Sequence, residues 1–302
     1  MAGKADSLKT ILLALGANFA IFVSKLVAAL LTGSGSMLAE AVHSLADCAN
    51  QGLLLIGMRN AKRAPSSEHP LGYGMVVYFW SFLVALLLFS VGGMFSFYEG
   101  FHKLEHPEPL RWPWLAVGVL AFGFIAESFS MWGCLREVNK ARGSKNLWRW
   151  FRESRQSELI VVFGEDLAAL LGLALALIAV VATMITGNPL FDAWGSIAIG
   201  VLLGVIAVFV AREVASLLVG KSAEVGVREA IEEFVRKQPD VERLFNLITL
   251  QLGPYVMVAT KAKMRGELSA REQIEAINRV EAAMKAQFTE IRWSFFEPDF
   301  ED

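Results

Sequence analysis

In the stretch MLAEAVHSLADCANQGLLLIG, His43 and Asp47 stand four residues apart, and Glu40 precedes the histidine by three. On an α-helix that spacing stacks an imidazole and a carboxylate about one turn apart on one face, with Glu40 a further turn along nearly the same face. A second stretch, VVFGEDLAALLG, sets Glu165 and Asp166 among aliphatic residues, and Glu127 stands alone in another apolar run. An imidazole nitrogen converging with carboxylate oxygens is a donor set for Zn2+ or another first-row divalent ion. The same lone pairs bind protons, so such a site can trade metal for H+.

These residues are costly where they stand. Of 302 residues 55% are hydrophobic and only 19% charged, and the apolar residues come in long blocks, which makes this a membrane protein. A charged side chain at the centre of a spanning helix costs about 2.5 to 3.5 kcal/mol on insertion scales, so such residues face an interior and mark a function or a pairing. Glu40 and Glu127 leave two readings open, a ligand or an acid hydrogen-bonded to a neighbouring helix. Lys25, in the first apolar block, reads as a cation that snorkels or pairs rather than one that binds metal. Cys48 and Cys134 read as small packing residues. A formal net charge of −2 argues against a nucleic-acid partner.

Six segments have the length and composition of spanning helices: about 9–32, 36–58, 75–98, 112–135, 157–186 and 190–219. No short apolar core with a cleavage site precedes them, so the first is expected to be retained. GSGS, HKLEHPEPLRWP and TGNP read as short connections on one side. The opposite connections are basic: RNAKR, then Arg136, Lys140, Arg142, Lys145, Arg149, Arg152 and Arg155. The positive-inside rule puts those loops and both termini on the cytoplasmic-type side. The apolar blocks stop near residue 220, dividing the chain into a transmembrane domain, 1–219, and a soluble domain, 220–302. The latter reads in the order α-β-β-α-β, with a turn at Gly253-Pro254 and a capping-box helix start at Ser269 and Glu272, which suits a small α+β sandwich.

At TGSGSMLAEAVHSLAD, EHPLGYG, NPLFDAWGSIAIGVLLG and LLVGKSA, in order along nearly the whole chain, the sequence resembles the cation diffusion facilitator family of divalent-metal/proton antiporters. The resemblance implies a homodimer of six-helix protomers with a ferredoxin-like cytoplasmic domain. It also implies a tetrahedral transport site with two ligands from the second helix and two from the fifth. His43 and Asp47 match the first pair and Asp166 one member of the second, but the position four before Asp166 is Val162. The fourth ligand is then Glu165, Glu127 or a water. Glu165 lies about 100° around the helix from Asp166, and a π-bulge near Gly164 would swing it across. The family can hold a second, cytoplasmic metal near His69, where this chain has Tyr73 in place of another ligand. Residues after 220 include no His or Cys, which points to a dimerisation piece rather than a zinc sensor.

The function expected is secondary transport: export of a divalent metal, most simply zinc, in exchange for protons, with no enzymatic step. The metal is then cargo. Cobalt, iron(II), nickel and manganese are the alternative ions, in the inner membrane of a bacterium or an organelle membrane. An intramembrane metal-dependent hydrolase would also bury His and acids, but no HExxH pattern is present. A channel would need a filter-like loop.

Overall fold

The computed structural model describes residues 3–266 and 268–301, with side chains from residue 16 onward, Ala17 excepted. Side chains 9–15 of the first expected span lie outside the described residues. The chain forms two compact units, 1–56 with 80–144 and 158–213, and 57–79 with 145–157 and 214–302.

The first unit is helical. It is built on α1 (Gly3–Thr32), α2 (Gly35–Ala61), α3 (Val76–Leu87) continuing through a π-helical turn (Leu88–Met94) into α4 (Phe95–Glu105), α5 (Pro113–Arg142), α7 (Ser157–Thr186) and α8 (Leu190–Gly220). Among the described residues, four helical stretches are long and apolar enough to cross a bilayer: Val76–Glu105, Pro113–Arg142, Ser157–Thr186 and the one beginning at Leu190. α1 adds a shorter apolar stretch, Asn18–Thr32. α2 is as long as a span at 27 residues, but Glu40, Asp47, Asn50 and Gln51 dilute its apolar character. The core gathers Ala28 and Ala29 of α1, Met37 and Ala39 of α2, Leu120 of α5, Leu173 and Ala176 of α7, and Ile199 and Leu203 of α8.

Glycines let the helix through α4 meet α8 backbone to backbone. A Cβ at Gly200 would lie 2.6 Å from the Phe97 nitrogen, and one at Gly100 2.7 Å from that of Ile197. Small residues at such crossings are the usual route to close helix packing where lipid supplies no hydrophobic drive. Two expectations need correction. The third helix runs on to Glu105, absorbing the start of HKLEHPEPLRWP, with His102 and Lys103 in its last turn where the helix dipole favours cations. The basic stretch after α5 also contains a helix, α6 (Leu147–Glu153), capped by the Asn146 side chain accepting from Arg149 N–H.

The second unit carries α9 (Val225–Arg236), β1 (Val241–Leu252), β2 (Tyr255–Met264), α10 (Ala270–Gln287) and β3 (Ile291–Pro298), the α-β-β-α-β order expected. The sheet is three-stranded in the order β1-β2-β3, antiparallel between β1 and β2 and parallel between β2 and β3. Strict alternation on β2 buries Val256, Val258 and Ala262 against Ile231 and Val235 of α9 and Val280 and Met284 of α10. α10 begins with the capping box of Ser269 and Glu272. The Arg279 guanidinium bonds both Asp240 oxygens, 3.1 and 2.9 Å, and holds that carboxyl below its ordinary range.

Gly253 closes the β1–β2 hairpin at φ +63°, and a Cβ there would lie 2.4 Å from the Gly74 carbonyl oxygen. Tyr78, whose ring is fully buried, accepts from Gly253 N–H at 3.1 Å. Gly253→Ala is therefore expected to cost roughly 1–2 kcal/mol through the left-handed backbone alone, and more through the clash. A lowered melting temperature of the full chain in detergent is the check; a wild-type melt would contradict it.

Candidate functional site

Positions 44, 47 and 51 of α2 and 162, 165, 166 and 169 of α7 follow the 3–4 residue spacing that collects side chains on one helical face. Facing one another, and joined by Asn18 and Ile21 of α1 and Glu127 and Ser130 of α5, they enclose a cavity of about 80 Å3. That is room for several water molecules, or for a partly hydrated divalent ion. Asp47, Glu127, Glu165 and Asp166 all line it, so three helices present carboxylates to one space. The lining residues fall near the middle of α2 and α5 and in the first half of α7.

Individual contacts fix several of these groups. The buried Asn50 amide donates to Glu165 Oε1 at 2.6 Å, and Ser130 Oγ donates to Asp166 Oδ1 at 3.1 Å. Asp166 Oδ2 and Asp47 Oδ1 are buried without a hydrogen-bond partner. His43 is fully buried, its Nε2 3.6 Å from Asp47 Oδ2, and neither ring nitrogen has a hydrogen-bond partner. Its imidazole lies beside the π-helical turn, where a Cβ on Gly92 would sit 3.8 Å from Nδ1. Buried polar atoms without partners are rare in folded proteins and call for an explanation such as a ligand. Among the described residues, no three of His, Cys, Asp and Glu stand close enough in this conformation to share one ion.

The placement of the expected residues is mixed. α7 is α-helical throughout, with no π-bulge at Gly164, whose Cα instead packs against Val210 of α8. Glu165 nevertheless reaches the cavity, because the α7 face that lines it is wide enough to include both neighbours. Val162 lines the cavity too, at the position where a fourth ligand was expected. Glu40 does not line it; the fully buried carboxylate pairs with Lys25 at 3.2 Å. His69 belongs to the second unit, stacked on Tyr73 with ring centroids 4.3 Å apart and the Arg63 guanidinium 4.7 Å over the tyrosine. A guanidinium over that stack works against a second cation there. Ser44, Asn50, Gln51 and Ser130 were passed over in the sequence, although each lies three or four residues from Asp47 or Glu127 and so shares the acidic face.

Residues 11–219 match the Cation efflux transmembrane domain. The chain is 33% identical over 247 residues to the proton-coupled zinc antiporter SLC30A9, mitochondrial, of Xenopus laevis, covering 81% of this chain and 44% of that protein. It is 31% identical over 254 residues to metal tolerance protein C4 of Arabidopsis thaliana, covering 82% and 55%. The cation-efflux pump FieF of Serratia proteamaculans (strain 568) is 26% identical over 272 residues, covering 89% and 84%. The chain thus spans about half the length of SLC30A9 and metal tolerance protein C4 or less. With the transmembrane match covering well over half of its length, the chain belongs to the cation efflux, or cation diffusion facilitator, family.

Proposed function

We propose that the chain is a secondary transporter that moves zinc across a membrane in exchange for protons, binding the ion at His43, Asp47, Asp166 and Glu165. The observation that carries this is the cavity in which α2, α5 and α7 bring four carboxylates together inside an apolar bundle, with His43 3.6 Å from Asp47. Such charges are expensive in a membrane without a cation to bind. A divalent ion takes deprotonated carboxylates and neutral imidazole, so its entry expels protons, and protonation from the other side expels the ion. Rocking of helices then exposes the site alternately to the two sides. The names of relatives agree: SLC30A9 is called a proton-coupled zinc antiporter and FieF a cation-efflux pump.

The fourth ligand is assigned to Glu165. Its Oε1 is held by Asn50, which leaves Oε2 for an ion; second-sphere bonds of this kind orient metal ligands. Loading requires these side chains to close on the ion, since no three of them stand close enough to share one in this conformation. Glu127, which lines the same cavity from α5, is the alternative ligand. Glu165→Gln keeps the Asn50 bond and is expected to weaken zinc affinity by roughly 10- to 100-fold and to lower proton release. Calorimetry checks both against Glu127→Gln, which should leave both nearer the wild-type values. The reverse pattern would move the ligand to α5.

Six membrane spans are proposed for the first 219 residues, formed by α1, α2, the helix through α3 and α4, α5, α7 and α8, with both termini on the cytoplasmic-type side. The remainder is proposed to be a ferredoxin-like dimerisation domain. Ile248 and Phe295, about half exposed on the sheet face away from α9 and α10, supply apolar surface for a homodimer. The test of function is reconstitution in proteoliposomes with a pH dye inside. Zinc is expected to drive saturable, opposite proton flux, with cobalt, iron(II), nickel and manganese as competitors. Metal uptake without proton movement, or no uptake, would overturn antiport. An oxygen-rich cavity gives manganese its best case, and a preference for it over zinc would reassign the cargo.

A further inference from the structure

Among the described residues, Lys25 is the one lysine or arginine buried completely. It lies seven residues along α1 from Asn18 and four from Ile21, both of which line the cavity, so it sits on the same helical face further in. Its ammonium donates to Ser44 Oγ at 2.8 Å and to Glu40 Oε2 at 3.2 Å. Ser44 is a cavity wall; Glu40 is the next acid along α2, one turn nearer the end away from the basic connections. Glu40 Oε1 is buried without a partner and lies against α7, where a Cβ on Gly172 would come within 2.5 Å of it. The Lys25 stem packs on α5, with a Cβ at Gly123 3.3 Å from its Cε. The ammonium therefore stands between the polar cavity and the next acceptor on the same face of α2.

We propose that Lys25 is a tethered cation that seals the inner end of the transport cavity against protons and metal ions, so that neither passes toward Glu40 without a conformational change. A cation moving from Ser44 toward Glu40 would have to approach a fixed ammonium in a low-dielectric interior, where like charges repel far more strongly than in water. Fixed positive charges close other membrane pathways to protons and cations in the same way. Lys25 is thus a positioning residue of the coupling machinery, not a ligand. An antiporter needs such a seal, since any ion that slips through uncoupled dissipates the gradient it exploits. The proposal rests on the antiporter assignment above.

The experiment measures proton conductance of proteoliposomes under a pH gradient without zinc, then zinc-driven proton exchange. Lys25→Gln and Lys25→Met, which remove the charge and keep much of the volume, are expected to raise zinc-free proton conductance at least tenfold over wild type, and Lys25→Arg to restore tightness. Folding is checked by the melting transition. If the unpaired Glu40 unfolds both single variants, the charge-neutral pair Lys25→Gln with Glu40→Gln replaces them and is expected to leak as well. Tight vesicles from folded charge-free variants would make the ion pair a staple between α1 and α2 and overturn the proposal. Loss of fold in all charge-free variants would do the same. Absence of zinc-driven exchange in wild type would instead reject antiport, while the zinc-free leak still reads out the seal.

Discussion

Asp47→Ala is expected to abolish zinc transport while leaving the protein at least as stable as wild type. Both halves follow from the environment of the carboxylate. Asp47 lines the cavity, lies 3.6 Å from His43 through Oδ2, and keeps Oδ1 buried without a hydrogen-bond partner. It shares the cavity with Glu127, Glu165 and Asp166, so removing it relieves repulsion and a desolvation cost when no ion is bound. With an ion bound as proposed, the loss is a first ligand. Perturbing only the groups behind a ligand costs 10- to 100-fold, so losing the ligand itself should lower transport by more than about 100-fold at limiting zinc. His43→Ala is expected to act in the same direction, with a further shift of preference toward metals that favour oxygen. Initial rates of zinc uptake and the melting temperature, measured on one preparation, give the two numbers. A variant that melts much lower would mean that Asp47 holds the fold. One that transports at the wild-type rate would remove it from the site.

What the sequence made legible is what helix periodicity carries. The pairing of His43 with Asp47 follows from a spacing of four on one helix, and the capping box of Ser269 and Glu272 from two residues three apart; both are found. The hairpin at Gly253 was legible because a left-handed turn favours glycine. Features set by helices distant in sequence were not. Whether Glu127 faces lipid or cavity depends on how α5 is rotated against α2 and α7, which no single-helix pattern states. Lys25 was expected to snorkel or pair, but its particular partners, Glu40 and Ser44, come from the contact of α1 with α2. The π-helical turn lies at Leu88–Met94, not near Gly164. A glycine permits either backbone, and what presses on it decides: Val210 crowds Gly164, whereas Gly93 meets the glycines of α8. In the sequence Asp192 is only a lone acid at the start of an apolar block, yet it has the largest structural effect expected of any single residue here.

Asp192 stands in the first turn of α8 but serves the start of α2. Only 1% exposed, its carboxylate accepts from Ser34 Oγ and Gly35 N–H at 2.7 Å each, from Ser36 N–H at 3.3 Å, and from Lys103 Nζ at 3.3 Å. Lys103 also donates to the Gly33 carbonyl. A helix N-terminus leaves its first N–H groups without intrahelical partners and carries a partial positive charge, so an anion placed there meets both needs. Here the anion comes from another helix, and one carboxylate ties α2, α4 and α8 together. Asp192→Ala leaves the Lys103 ammonium, 14% exposed, with the Gly33 carbonyl but no anion, and takes the acceptor from the first amides of α2 at once. Breaking a buried ion pair from one side costs about 3–5 kcal/mol, more than an ordinary cap. Asp192→Asn keeps acceptor oxygen for the cap but loses the charge, and should retain much of that stability. Since α2 carries His43 and Asp47, the alanine variant should transport poorly for want of folded protein, yet bind zinc normally in the fraction that folds. Melting temperature and zinc stoichiometry per folded chain separate the two effects. An alanine variant that melts like wild type would show that water replaces the carboxylate without loss, and that α2 is held by its packing alone.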